Sequence, residues 1–424
     1  MFPKSSRIPR ALLICAVGFK LVHGSQMLWA QEQAETDRTV VEIAGDVLPE
    51  SSWKGVQDAA HIFDGVRDEF AGADLVFLNL EEPITSSNTV TPNKNQREVK
   101  AGRDYILRAR NPDIPDILKQ AGVGLVGLAN NHMMDYTTVG LRDTLRVFQQ
   151  ADFPVVGAGL KPDAESAFLF SARGVSMAFL AFTDVVPPNY EATTARLGVA
   201  SSKDENDLIE AVKRARIQAD FVILIIHWGG QGGHLITPRQ RELARIAVQA
   251  GCDAVIGMHP HVLQGIEFVG GVPVFYSIGN FAFPSGNPAA RESVALELIF
   301  GSHGLDQVKI IPAEISTEGA PKISEGSDGQ EILLHLDHFC RMFNAMVEGG
   351  MLIHGPVRQR LVYDMSAGQP RRRALRKPGR RGRARPNHKK RAGGLARQDA
   401  RELVLRELGT KNSYKTLAIL VPNQ

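Results

Sequence analysis

The chain has 424 residues, 43% hydrophobic and 22% charged, enough apolar content for one large domain or two ordinary ones. This composition excludes a disulfide-stapled miniprotein, a collagen-like repeat and a wholly disordered chain. The net charge of +3 averages unlike segments: residues 1–30 carry 4 basic and no acidic residues, residues 31–370 carry 28 basic against 43 acidic, and residues 371–424 carry 17 basic against 3 acidic. The body is acidic and both ends are basic, so the overall charge says nothing useful about a partner.

In chain order, the first predicted element is an export signal over residues 1–30. Lys4, Arg7 and Arg10 precede an apolar stretch from Ala11 to Val22, and Ala30 closes a small-residue cleavage site before a polar run. The alternative is an uncleaved anchor, although the stretch is shorter than the roughly 20 residues that span a bilayer. Either way the body is expected outside the cytoplasm, whether periplasmic, secreted or associated with the envelope. Cys15 lies in the signal, and Cys252 and Cys340 are expected as two solitary thiols rather than a bridge.

From residue 39 short apolar runs alternate with helical patterns, which predicts an α/β layered fold. Strands are expected at Thr39–Ala44, Leu75–Leu80, Leu125–Leu128, Phe153–Val156, Ala178–Phe182, Phe221–Ile226, Ala254–Ile256 and Val272–Ser277. Phe221–Ile226 is apolar without alternation, as in a strand buried on both faces. Helices are expected at Trp53–Phe70, Ile114–Gln120, Leu141–Gln150, Glu205–Gln218 and Pro238–Ala250. Ser293–Phe300 and Val308–Ile315 read as closing strands and Glu331–Val347 as a terminal helix. This divides the chain into a domain over 39–330, a helical extension over 331–370 and a tail over 371–424. Arg371–Arg391 has 12 Lys or Arg and no acid, so the tail is expected to be disordered. It either contacts a membrane surface or another polyanion, or is solvated with no specific partner; no specific nucleic acid is expected.

The chemistry lies where the strands end. Gly45-Asp46 follows the first run; Asn79 lies in the second, and Glu81-Glu82-Pro83 follows it. Asn130-Asn131-His132, with Asp135 close behind, follows the third. His227-Trp228-Gly229, Gly257-Met258-His259-Pro260-His261 and Tyr276-Ser277-Ile278-Gly279-Asn280 close three later runs. In an open α/β sheet ligands sit beyond the carboxyl ends of the strands, so these loops can surround one cavity. Imidazole with carboxylate or carboxamide oxygen, and no thiolate, suits zinc, manganese or iron rather than a structural zinc site. The number of donors allows one ion or two, and two can hold both ends of a phosphoryl displacement. The alternatives are satisfied core histidines in a His-Pro-His turn, and a helix start at Asn130-Asn131-His132.

The order and wording of these motifs resemble the CapA family of capsule or poly-γ-glutamate synthesis proteins, within the calcineurin-like metallophosphoesterase superfamily. The resemblance rests on Gly45-Asp46, Asn79-Leu80-Glu81-x-Pro83, Ala129-Asn130-Asn131-His132-x-x-Asp135-Tyr136, Gly157-Ala158-Gly159, His227-Trp228-Gly229, His259-Pro260-His261-Val262 and Gly279-Asn280-Phe281, and covers about residues 39–285. It implies a four-layer α/β/β/α sandwich. It also implies that Asp46, Glu81, Asn131, His227, His259 and His261 are metal ligands, with Glu81 in the bridging place and His132 protonating a leaving group. Asn79, Asn130, Asp135, Trp228 and Asn280 are expected to support them. Three positions depart from the pattern: Leu48 stands where Asp-x-His would place a histidine, Gln231 where His-Trp-Gly-x-Glu would place an acid, and Thr137 where glycine is common after Asp135-Tyr136. The function implied is synthesis or export of an anionic capsule polymer, together with its synthesis machinery, with metal-dependent phosphoesterase-like hydrolysis as a possible activity. The alternatives are a non-catalytic polymer-binding or assembly accessory, and a secreted phosphodiesterase or nucleotidase.

Overall fold

The computed structural model describes residues 38–50, 59–102, 104–301 and 304–354, and the short ladder of 363–364 with 369–370. The expected signal, the basic tail, His303 and His388 lie outside them. The first half holds β1 (Thr39–Val47), α1 (Arg67–Phe70), β2 (Leu75–Leu80), α2 (Gln96–Lys100), α3 (Ile114–Gln120), β3 (Leu125–Gly127) and α4 (Thr137–Gln150). Then come β4 (Val155–Val156), β5 (Ala158–Gly159), β6 (Phe168–Ala172), β7 (Val175–Thr183), β8 (Gly198–Val199), α5 (Glu205–Gln218) and β9 (Phe221–His227). α6 (Pro238–Ala250), β10 (Ala254–Met258), β11 (Ile266–Val269), β12 (Val272–Phe275), β13 (Glu292–Gly301) and β14 (Gly304–Ile315) follow. β15 (Pro321–Ile323), α7 (Gly326–Cys340), β16 (Ala345–Glu348) and β17 (Met351–His354) complete the series.

Two mixed sheets result. The larger runs β16-β17-β14-β13-β1-β2-β3-β4, with β15 on β14, and the smaller β11-β12-β10-β9-β7-β6. The larger sheet runs parallel from β1 to its edge at β4 and antiparallel from β1 onward through β13, whereas in the smaller a parallel centre (β7, β9, β10 and β12) is flanked by antiparallel β6 and β11. Alternate residues of one strand enter different cores, which defines the layers. On β9, Ile223 and Ile225 face the second sheet, packing with Val41, Ile43, Phe77 and Phe179. Val222, Leu224 and Ile226 pack instead with Leu208 and Val212 of α5 and Leu243 and Ala247 of α6. On β2, Val76, Leu78 and Leu80 meet α3 and α4 through Ile117, Leu118, Leu141 and Phe148. Three cores between four layers make an α/β/β/α sandwich, as the motif resemblance implied.

The helices are locally well specified. Thr237 caps α6: its side chain accepts the Gln240 N–H and Gln240 returns a bond to the Thr237 N–H at 2.9 Å. Replacing Thr237 with Ala is expected to cost about 1 kcal/mol, read as a lower urea midpoint.

Two expected helices need correction. Of Trp53–Phe70, residues 53–58 are outside the described residues, and the rest is a 3-10 turn at Ala59–His61, further turns and only then α1. Gly65 packs closely on β15, since a Cβ there would lie 2.6 Å from the Pro321 carbonyl oxygen, and in this run of turns Phe63, Val66 and Phe70 are seated in the core. Glu331–Val347 is not one helix either: α7 ends at Cys340 and Val347 lies in β16. Asn344 clamps Phe268 of β11, accepting its N–H at 2.8 Å and donating to its carbonyl at 2.9 Å. Gly349 and Gly350, at φ 57° and 79°, then turn the chain into β17. Cys252 and Cys340 are buried thiols. Among the described residues no helix is long and apolar enough to cross a membrane.

Candidate metal centre

The loops leaving the parallel strands of both sheets converge where β1 meets the segment after β12. Asp46 forms an isolated parallel bridge with Asn280, and the Asp46 carbonyl accepts from the Phe281 N–H at 2.8 Å. This crossing needs glycine at position 45, because a Cβ there would lie 2.1 Å from the Gly279 carbonyl oxygen.

At this crossing the Asp46 carboxylate is fully buried. Its Oδ1 accepts from Asn79 Nδ2 at 2.7 Å and its Oδ2 from the His259 backbone N–H at 3.0 Å. His227 Nδ1 and His261 Nδ1 stand 3.8 and 3.6 Å from it. Glu81, just beyond β2, places Oε1 3.2 Å from His227 Nε2, 3.8 Å from His261 Nε2 and 3.9 Å from His132 Nε2. None of these approaches has hydrogen-bond geometry, so both Glu81 oxygens are buried without a hydrogen-bond partner among the described residues. His227 Nε2 is also 2.8 Å from Asn131 Oδ1 and 3.0 Å from His259 Nδ1.

Two donor triads follow from this geometry. Glu81, His227 and His259 present ligand atoms within 4.8 Å of one another, and so do Asp46, Glu81 and His261. Glu81 belongs to both. One hydrogen on His227 Nε2 cannot serve a carboxylate, a carboxamide oxygen and an imidazole nitrogen together, whereas a divalent cation suits that convergence of acceptors and the orphaned carboxylate. His259 and His261 sit at φ 92° and 57°, left-handed values that side chains resist, on either side of Pro260. Such strain concentrates at functional sites.

The electrostatics agree with a site built for positive charge. Burial, then the neighbouring Glu81 charge, pushes Asp46 up to about 6, against the pull of His227 and His261. Burial also acts to raise Glu81, but the imidazoles of His261 and His227 override it and hold the carboxyl well below its usual range. Burial disfavours the charged form of His227, yet Glu81 and Asp46 raise it; burial, His227 and His261 drive His259 well down.

The supporting residues separate by role. Asn130 Oδ1 accepts the N–H groups of His132 and Met133, both at 3.1 Å, and its Nδ2 donates to the Leu80 carbonyl at 2.8 Å. It therefore organises a loop rather than a helix start, since α4 begins at Thr137, held at φ 61°, where glycine would be unstrained. Asn280 Oδ1 is 2.8 Å from His261 Nδ1, and Asp135 Oδ2 is 2.8 Å from His132 Nδ1. Trp228 is a correction: it points into the helix-side core, donates to the Tyr276 carbonyl at 2.9 Å and stacks on that ring. Gln231 Nε2 is 3.5 Å from His261 Nε2. Leu48 joins a small apolar cluster with Leu107 and Phe283, and the Phe283 ring packs against His261.

Sequence reasoning missed two buried charges. Glu82 turns away from the imidazoles, accepts the Glu50 N–H at 3.1 Å and is pushed up to about 8 by burial. Lys94 lies 2.9 Å from His132 Nδ1. It sits in a polar loop with no periodicity, so nothing local marks it as buried.

Residues 40–285 match the family described as bacterial capsule synthesis protein PGA_cap. The chain is 32% identical over 278 residues to the PGA biosynthesis protein CapA of Bacillus subtilis, covering 65% of this chain and 70% of that one. It is 30% identical over 296 residues to the capsule biosynthesis protein CapA of Bacillus anthracis, covering 68% and 70%. Among solved structures, a hypothetical protein from Thermus thermophilus aligns over 68% of this chain and 99% of its own, with 18% identity and a TM-score of 0.37. A putative 5'-nucleotidase from Staphylococcus aureus aligns over 71% and 58%, with 12% identity and a TM-score of 0.41. On the match across residues 40–285 and the identity to the two Bacillus proteins, the chain belongs to the PGA_cap family of bacterial capsule synthesis proteins.

Proposed function

We propose that the protein acts outside the cytoplasm in the synthesis of an anionic capsule polymer of the poly-γ-glutamate type, as a metal-dependent hydrolase of a polymer end or a phosphorylated carrier. The observation that carries the reading is Glu81, whose buried carboxylate lacks a hydrogen-bond partner among the described residues, faces three imidazoles and is the shared corner of two donor triads. Asp46, Glu81, Asn131, His227, His259 and His261 would hold one or two ions of zinc, manganese or iron. Bound ions of this kind supply Lewis acidity and a water of lowered pKa. His132 donates a proton to the leaving group, and Asp135 orients its ring. The basic residues of 371–424 would add a salt-sensitive contact with the polymer or with anionic lipid.

The test is turnover of generic phosphodiesters and polymer fragments by the purified protein with manganese, beside His259→Ala, with metal content measured by elemental analysis. Wild type is expected to retain metal and turn over, and His259→Ala to lose at least about 100-fold of that rate. Absence of both metal and histidine-dependent turnover would leave the non-catalytic accessory reading. Leu48 favours that reading, because it puts an apolar side chain, packed with Leu107 and Phe283, where the family pattern would place a histidine.

A further inference from the structure

Lys94 takes no part in the donor triads, yet its side chain is only 1% exposed. It lies in the loop between β2 and α2, and Thr91 and Lys94 are the buried residues among those described from 86 to 106. Its Nζ stands 2.7 Å from the Tyr105 carbonyl, 2.8 Å from Asp135 Oδ1, 2.9 Å from His132 Nδ1 and 3.4 Å from Asp104 Oδ1. Asp135 is well supplied with donors: Oδ1 also accepts from the Tyr190 hydroxyl at 3.2 Å, and Oδ2 accepts the Leu107 N–H at 2.8 Å.

His132 Nδ1 therefore faces an ammonium at 2.9 Å and a carboxylate oxygen at 2.8 Å. One ring nitrogen cannot donate to the second while accepting from the first. With a hydrogen on Nδ1, that N–H and the ammonium would confront each other. With Nδ1 bare, the three ammonium hydrogens go to the Tyr105 carbonyl, Asp135 Oδ1 and Nδ1, and Asp135 Oδ2 keeps the Leu107 N–H. We infer that Lys94 is a positioning residue for His132: its ammonium holds Nδ1 as an acceptor, so the neutral ring carries its hydrogen on Nε2, the nitrogen facing Glu81. A carboxylate alone beside Nδ1 would draw the hydrogen there and leave a lone pair on the metal side. Lys94 reverses that preference and makes the uncharged ring a hydrogen-bond donor toward the site. The use of that donor rests on the hydrolytic reading above, whereas the tautomer itself does not.

The experiment is 15N NMR of the full chain labelled in its histidine side chains, with His132 assigned by the signal lost in His132→Gln. Wild type is expected to show a protonated Nε2 and a bare Nδ1. Lys94→Met is expected to exchange those two resonance positions, and Lys94→Arg, which keeps a cationic donor, to retain the wild-type pattern. Hydrogen on Nδ1 in the wild type overturns the inference, as does a folded Lys94→Met protein that keeps Nε2–H. If Lys94→Met does not fold, the wild-type and Lys94→Arg spectra still decide. Hydrogen on Nε2 in a protein without turnover would remove the hydrolytic reading and leave the tautomer standing.

Discussion

Glu81→Gln is expected to abolish retention of divalent metal through dialysis, while Glu82→Gln next to it leaves metal content unchanged. Glu81 is the one side chain in both donor triads, and beyond its approaches to the imidazoles neither of its oxygens has a hydrogen-bond partner among the described residues. Two unit charges about 4 Å apart in a partly screened interior attract by about 4 kcal/mol, so losing the Glu81 charge beside a divalent cation forfeits at least that, about a thousand-fold or more in affinity. Glu82 accepts the Glu50 N–H and does not belong to either triad. Elemental analysis of the dialysed proteins, with the rise in melting temperature on adding manganese, reads both variants. Wild-type metal content in Glu81→Gln would refute the assignment of the shared corner.

The second large effect is a pH dependence set by Glu42, which lies in the sheet rather than in the metal centre. On β1 it pairs opposite Glu297 of β13, which pairs opposite Lys309 of β14. Its side chain is buried, and Oε1 lacks a hydrogen-bond partner among the described residues. Burial, then Glu69 and Glu297, push its carboxyl from 4.5 up to about 8, against the pull of Lys309. The folded value lies above the unfolded one, so the native state holds a proton that the unfolded chain releases. The contribution of Glu42 to stability is therefore fully present below about pH 4.5 and is lost as pH rises through 8. At the full shift the loss amounts to roughly 5 kcal/mol as an upper bound. Glu42→Gln carries no such proton, so its urea midpoint is expected to exceed that of the wild type at pH 9 and to lose the advantage at pH 5. An equal difference at the two pH values would rule out Glu42 as the source.

Much of the framework was legible in the chain because its causes are local. Leu75–Leu80, Ile114–Gln120, Glu205–Gln218 and Pro238–Ala250 appear within the bounds their periodicity predicted. Capping by Asp204 and Thr237 fixes two of those helix starts. The continuous apolar run of β9 marked a strand buried on both faces, and its alternate residues do divide between two cores. The motifs at the strand ends named the polar cluster for a similar reason, since a parallel sheet delivers the carboxyl ends of its strands to one edge.

What the chain pattern could not supply depends on contacts distant in sequence. The antiparallel flanking strands β6, β11, β16 and β17 are short and weakly patterned, and pairing defines them. The turns before α1 bring Gly65 close against Pro321, and the end of α7 accompanies a clamp between Asn344 and Phe268. Trp228 stands beside His227 in sequence but on the opposite face of the strand, in the helix-side core. By itself the sequence determined the α/β alternation and the polar residues at the strand ends. Tertiary structure alone decided that Glu82 is buried against the Glu50 N–H, that the His259 N–H reaches Asp46 across 213 residues, and that Lys94 is buried against His132. Periodicity and capping act over a few residues, whereas the charge, desolvation and hydrogen-bond partners of a buried side chain are set by whichever segments the fold packs around it.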